Sequence, residues 1–273
     1  MTTPPALGPD RLTLVAVSAL AYVAGVALHE HLGHATACVL LGGHIKELGA
    51  FYVNCDYAGM SRWGVKGVAL AGPLVSALTG MLSFRILRRV PDDAPAAFYF
   101  IWLLGSLGLM SAAGYLLFSG ISGIGDLGTA ADGVLHGATP AWAWRLAFTV
   151  IGAVAYWWVV RLAARKVDAH VSGVGDYRIR AARMTAMTSY LTGATVFVAI
   201  GVLNPRGFVI VATSAVASSM GGSSGLLWMM QLLDRKRTVS GPGLAFGRSW
   251  RWIGAATAIT LAYAIVFGPT LRF

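Results

Sequence analysis

The most chemically loaded stretch of this chain is ALHEHLGHATAC (27–38), which sets three histidines and a glutamate inside an apolar run. Ionisable side chains are costly within a membrane span and face a partner, a cavity or an ion. At about 100° per residue, Glu30, His31 and His34 fall within an arc of roughly 100°, with His34 between the other two. Glu30 and His34 are i,i+4 neighbours and His31 and His34 are i,i+3 neighbours, so these side chains can converge, whereas His29 lies off that face. Two imidazoles and a carboxylate on one face suit a divalent metal of the zinc type. Two other readings compete: polar residues that hold helices together by hydrogen bonds, and a proton or ion relay.

The elements that must position these groups are membrane helices. Of 273 residues, 56% are apolar and 12% charged, and the mean hydropathy is +0.67. Soluble domains use about 25% charged residues, so there is too little polar material here to cover a globule. Apolar runs appear at about 12–41, 64–87, 96–118, 140–164, 184–203, 207–233 and 250–268, each near the roughly 20 residues that cross a bilayer. The sequence therefore predicts an all-α polytopic membrane protein with six or seven transmembrane helices, folded as a single integral membrane domain over 1–273. The uncertain span is 207–233, where SSMGGSSG (218–225) supplies either a close helix contact or a break. HIKELGAFYVNCDYAGM (44–60) is too polar for a span and reads as a short β-hairpin or a re-entrant element at the membrane surface.

The net charge of +10 comes from basic residues in short clusters between apolar runs. That pattern points to anionic lipid headgroups and not to nucleic acid. With seven spans, one side carries fifteen basic residues, among them Arg85, Arg88, Arg89, Arg165, Lys166 and Arg235, and the other carries six. This asymmetry puts the N-terminus in the cytoplasm and the histidine cluster nearer the outer half. MTTPPALGPDR (1–11) lacks the basic start of a cleaved signal peptide. Cys38 and Cys55 form no framework, and Cys38, on the His34 face, reads as packing. His44 and His170 read as interfacial or loop residues, and YWWVV (156–160) as a lipid-facing belt.

EHLGHATA (30–37) resembles the HExGHxxxA signature of the site-2 proteases, the intramembrane zinc metalloproteases. The likeness continues in LGG (41–43) and in LAGPLVSALTG (70–80), which is similar to the AGPxxN stretch of that family's second core helix. It covers roughly residues 20–135, with a metalloprotease-like core at about 12–137 and additional helices over 140–273. The order of Glu30 and His31 is exchanged relative to HExxH, and Ser76 stands where the family has asparagine. Three arrangements preserve the chemistry. His31 and His34 can bind zinc with Glu30 as catalytic base, which needs no distortion and is preferred. A π-bulge can instead align His29 with His34, again leaving Glu30 as base. In the third, Glu30 is itself a ligand beside His34. By the resemblance, the third ligand lies in the Gly-rich segment after the third span, where Asp126 is preferred over Asp132; either aspartate can equally be a helix cap.

The resemblance implies a zinc-dependent metalloendopeptidase of the cell membrane, acting on transmembrane or membrane-adjacent protein or peptide substrates. The alternatives are a non-proteolytic membrane protein, such as an ion or proton carrier or an inactive relative that binds a partner, and a metalloenzyme acting on a lipid or small molecule.

Overall fold

A computed structural model describes residues 8–210, 214, 216, 220–239 and 243–273. Helix α1 (Arg11–Ala27) passes through a π-helical segment (Leu28–Ala35) into α2 (Thr36–Leu40). The hairpin strands β1 (His44–Leu48) and β2 (Val53–Asp56) follow, then α3 (Arg62–Ile86), α4 (Pro95–Ser122), α5 (Ala141–Asp168) and α6 (Gly175–Val202). After a short α7 (Phe208–Ile210) come 3₁₀ turns at Ser224–Leu227 and Met229–Leu232, α8 (Trp250–Phe267) and β3 (Leu271–Arg272). Among the described residues, six helical segments are long and apolar enough to cross a membrane: Arg11–Leu40, Arg62–Arg89, Pro95–Ser122, Ala141–Asp168, Gly175–Val202 and Trp250–Phe267. The chain is an all-α polytopic membrane protein with a small antiparallel sheet ordered β2-β1-β3.

Local chemistry sets the helix ends. The Asp10 carboxylate caps α1 by accepting from Thr13 N at 3.0 Å, and Ser61 Oγ caps α3 through Gly64 N at 3.0 Å. Pro95 opens α4, and Gly123 closes it in the left-handed conformation at φ 76°. In the interior, hydroxyls take the place of water. Tyr99 Oη and Ser189 Oγ lie 2.6 Å apart, and Ser18 donates to Ser189 at 2.8 Å. Tyr22 Oη and Ser223 Oγ lie 2.7 Å apart, tying α1 to the segment after α7. Such bonds join helices where lipid offers no hydrophobic drive between them.

The bundle has two distinct ends. At one, Asp10 pairs with Arg248, and Asp168 pairs with the fully buried Arg178 and with Arg237. At the other lie the sheet, the loop after α4, and the contacts of Arg206 with Glu47 and of Asn204 with Thr270. Arg206 and Asp234 thus sit at opposite ends, so the chain makes one more passage between them, over 207–233. That passage is not one continuous helix: residues 220–221 are π-helical and residues 222–232 are turns and 3₁₀ pieces, held by Tyr156 and Tyr190. The break falls in the Gly/Ser-rich stretch 218–225; its residues 218 and 219, like residues 1–7 of the N-terminal segment, lie outside the described residues.

The hairpin forms where the polar 44–60 segment suggested it, with His44 paired to Asp56 and Leu48 to Val53. The two cysteines do form a framework, contrary to expectation. Cys38, at the end of the first span, is disulfide-bonded to Cys55 in β2 across 17 residues. Sequence spacing alone cannot reveal a pairing that depends on the hairpin folding back over the helix.

Candidate metal centre

The π-helical segment determines which histidine belongs to the site. At about 100° per residue, positions five apart stand about 140° from each other on an α-helix, yet they lie one turn apart on a π-helix. Across Leu28–Ala35 this puts His29 and His34 on one face, their Nε2 atoms 3.3 Å apart. His31 is turned away. Its Nε2–H donates to the Gly49 carbonyl at 3.0 Å, and its ring packs 4.3 Å from that of Phe267. The preferred His31–His34 pair is therefore replaced by the His29–His34 pair, because the helix here is not an α-helix. His31 anchors the hairpin to the bundle.

Asp126 completes the group. Its Oδ2 lies 3.3 Å from His29 Nε2 and 3.3 Å from His34 Nε2, so the three atoms form an equilateral triangle. The loop that carries it is folded by its own backbone: Gly128 N donates to Gly125 O at 2.8 Å, and Val134 N donates to Asp126 O at 3.0 Å. Arg145, from the start of α5, holds the preceding helix end through the carbonyls of Gly120 and Ile121. Asp132 is exposed and outside the triangle.

The proton of the His34 imidazole follows from its second partner. His34 Nδ1 lies 2.8 Å from the Val68 carbonyl, which can only accept, so that nitrogen carries hydrogen. In the neutral ring Nε2 then presents a lone pair toward His29 and Asp126. His29 Nδ1 meets Ser76 Oγ at 2.9 Å, and its ring stacks on Tyr115 with centroids 4.8 Å apart. The buried Asp126 Oδ2 finds no hydrogen-bond donor. With the His29 hydrogen on Nδ1, donated to Ser76 Oγ, three lone pairs converge at this distance and repel one another unless a cation lies between them. Four-coordinate zinc with bonds of about 2.0–2.1 Å separates its ligands by about 3.3–3.4 Å, which is the spacing found here. The donors, two imidazole nitrogens and one carboxylate oxygen, suit zinc and disfavour calcium or magnesium. The buried His29–His34–Asp126 group can hold a metal, and among the described residues it is the one convergent set of such side chains.

Close helix packing makes room for the rings. A Cβ built on Gly33 would lie 2.7 Å from Gly72 Cα, and one built on Gly72 would collide with the imidazoles of His34 and His29. Gly72, in the LAGPL stretch, lets α3 approach until its Val68 and Ser76 orient the two histidines. Ser76 thus supports a ligand from the place where an asparagine was the expected residue. Its role becomes visible only once His29 is known to face it.

Glu30, the chain neighbour of His29, is buried, at 6% exposure. Glu30, His34 and Asp126 open onto a cavity of about 630 Å³, walled by the hairpin (Phe51–Val53), α3, α4 and the broken passage. Compared with known proteins, the chain matches no family model, no curated protein and no solved structure.

Proposed function

We propose that this protein is an intramembrane zinc metallopeptidase of the site-2 protease kind, in which His29, His34 and Asp126 hold the metal and Glu30 is the catalytic base. The observation that carries the reading is the triangle of ligand atoms, with His34, Asp126 and the further buried carboxylate of Glu30 at the wall of one cavity. When bound, zinc supplies Lewis acidity that polarises a peptide carbonyl and activates water near neutral pH. Glu30 takes the proton of the attacking water and returns it to the departing amine, so hydrolysis adds one water across the C–N bond. Val68 and Ser76 hold the imidazoles with their lone pairs inward throughout. The substrate is a membrane-embedded or membrane-adjacent segment that must unwind at the cut, because hydrogen-bonded helical backbone offers no free carbonyl.

The site lies nearer the bundle end that is poor in basic residues, and the disulfide is at that same end. Disulfides persist in oxidising compartments. Charge asymmetry and disulfide together support a reading in which this end faces outward and the N-terminus lies in the cytoplasm, as in a protein of the cell membrane. A carrier would need ionisable groups at several depths. The buried Asp168–Arg178 pair at the far end is already closed on itself by Arg237 and backbone carbonyls.

The test is cleavage of a fluorogenic transmembrane peptide by the purified, zinc-loaded protein in detergent. Glu30→Gln is expected to retain zinc and lose turnover, and His34→Ala to lose both. Cleavage by Glu30→Gln at the wild-type rate would remove the carboxylate from its role.

A further inference from the structure

The charges around the cavity do not balance. Its wall holds three carboxylates, Glu30, Asp126 and Asp132, and no lysine or arginine, although the chain as a whole carries 21 basic and 11 acidic residues. A divalent ion offsets Asp126 and Glu30 and leaves Asp132 uncompensated. Asp132 is exposed and, among the described residues, its side chain makes no ion pair or hydrogen bond. Arg62 reaches this loop at Gly137 yet does not pair with Asp132. Tyr57 lines the same cavity, half-buried, and its phenol is pushed above the usual range by burial first and then by the Asp132 and Asp126 charges, so it lies within the field of Asp132. Elsewhere on the wall, the hydroxyls of Tyr52 and Tyr156 are held by Thr270 and by Gly222 and Ser224, whereas Tyr57 has no such bond. A free carboxylate and an aromatic ring on the wall of one cavity suit a cationic side chain, which gains ion pairing from the first and cation–π attraction from the second.

We propose that Asp132 and Tyr57 form a subsite for a lysine or arginine next to the scissile bond, so that the substrate is a basic membrane-proximal peptide segment. This rests on the metallopeptidase reading for the cut itself, but the recognition of charge does not. It also gives a role to the second aspartate of the Gly-rich loop, which the metal leaves aside.

The experiment uses the full chain in detergent and three versions of one fluorogenic transmembrane peptide, with lysine, norleucine or glutamate beside the cut. Cleavage efficiency is expected to fall in that order, with about a 3- to 10-fold step from lysine to norleucine, the combined worth of one exposed ion pair and one exposed cation–π contact. Asp132→Asn should abolish that step with zinc content unchanged, and Asp132→Lys should shift the preference to the glutamate peptide. Tyr57→Leu should shrink the step. Binding of the same peptides to Glu30→Gln, followed by fluorescence anisotropy, separates the two readings. A lysine preference in binding with no cleavage by wild type would sink the peptidase reading and keep the subsite. Equal binding of all three peptides, or a preference that survives Asp132→Asn, would overturn the subsite whether or not the peptides are cut.

Discussion

Replacing His29 and His31 one at a time tests the π-helical register directly, because the two residues exchange roles between an α- and a π-helical reading. His29→Ala removes one vertex of the 3.3 Å triangle. Losing an outer partner of a ligand costs about 10–100-fold in metal affinity, so loss of the ligand itself should exceed about 100-fold. His31→Ala removes the 3.0 Å bond to Gly49, worth about 1 kcal/mol, and the ring contacts with Phe267 and Tyr263, worth about 1 kcal/mol more. The assay is thermal unfolding in detergent with and without zinc, alongside elemental analysis. Free zinc at 100 times its Kd adds about 2.7 kcal/mol to stability. That increment should persist in His31→Ala, on a baseline lowered by about 2 kcal/mol, and vanish in His29→Ala. Loss of zinc from His31→Ala with retention in His29→Ala would refute the register and restore the α-helical pairing.

Three further outcomes follow from the same geometry. Gly72→Ala pushes a methyl group into both imidazoles and should abolish zinc binding while the fold, read by circular dichroism, survives. Ser76→Ala leaves His29 Nδ1 without its 2.9 Å partner and should weaken zinc by about 10–100-fold in a chelator competition, with His34 still held by Val68. Reducing the Cys38–Cys55 bond should lower stability by about 2–4 kcal/mol in a melting experiment. In intact cells, an impermeant thiol reagent should then label both cysteines; labelling only after permeabilisation would reverse the orientation.

Much of the fold was legible because lipid imposes simple rules on sequence. Runs of about 20 apolar residues announce spans, and basic clusters announce the ends. The polar 44–60 segment announced, by its inability to sit in lipid, a hairpin or a re-entrant element, and cross-strand pairing decides for the hairpin. The Cys38–Cys55 pairing did not show, since spacing along the chain says nothing of how β2 folds over the end of α2. The 207–233 passage was ambiguous for a related reason. Glycine and serine there permit either a tight contact or a break, and partners distant in sequence, Tyr156 and Tyr190, decide for the break.

For the site, the sequence by itself singled out His34 and Glu30, and the family resemblance pointed to an aspartate of the Gly-rich loop; the structure brings His34 and Asp126 together. Ionisable groups are too costly in lipid to lie there without a partner. It also left the π-bulge open as one of three arrangements. What only the tertiary structure decided was which histidine joins His34. A π-helical segment comes at a small local cost that packing must offset. Here Gly33 and Gly72 let two helices touch, Val68 and Ser76 orient the imidazoles, and Gly49 draws His31 aside. Gly33 apart, none of those partners lies within one turn of the histidines along the chain, so the choice between His29 and His31 cannot be read from the local sequence.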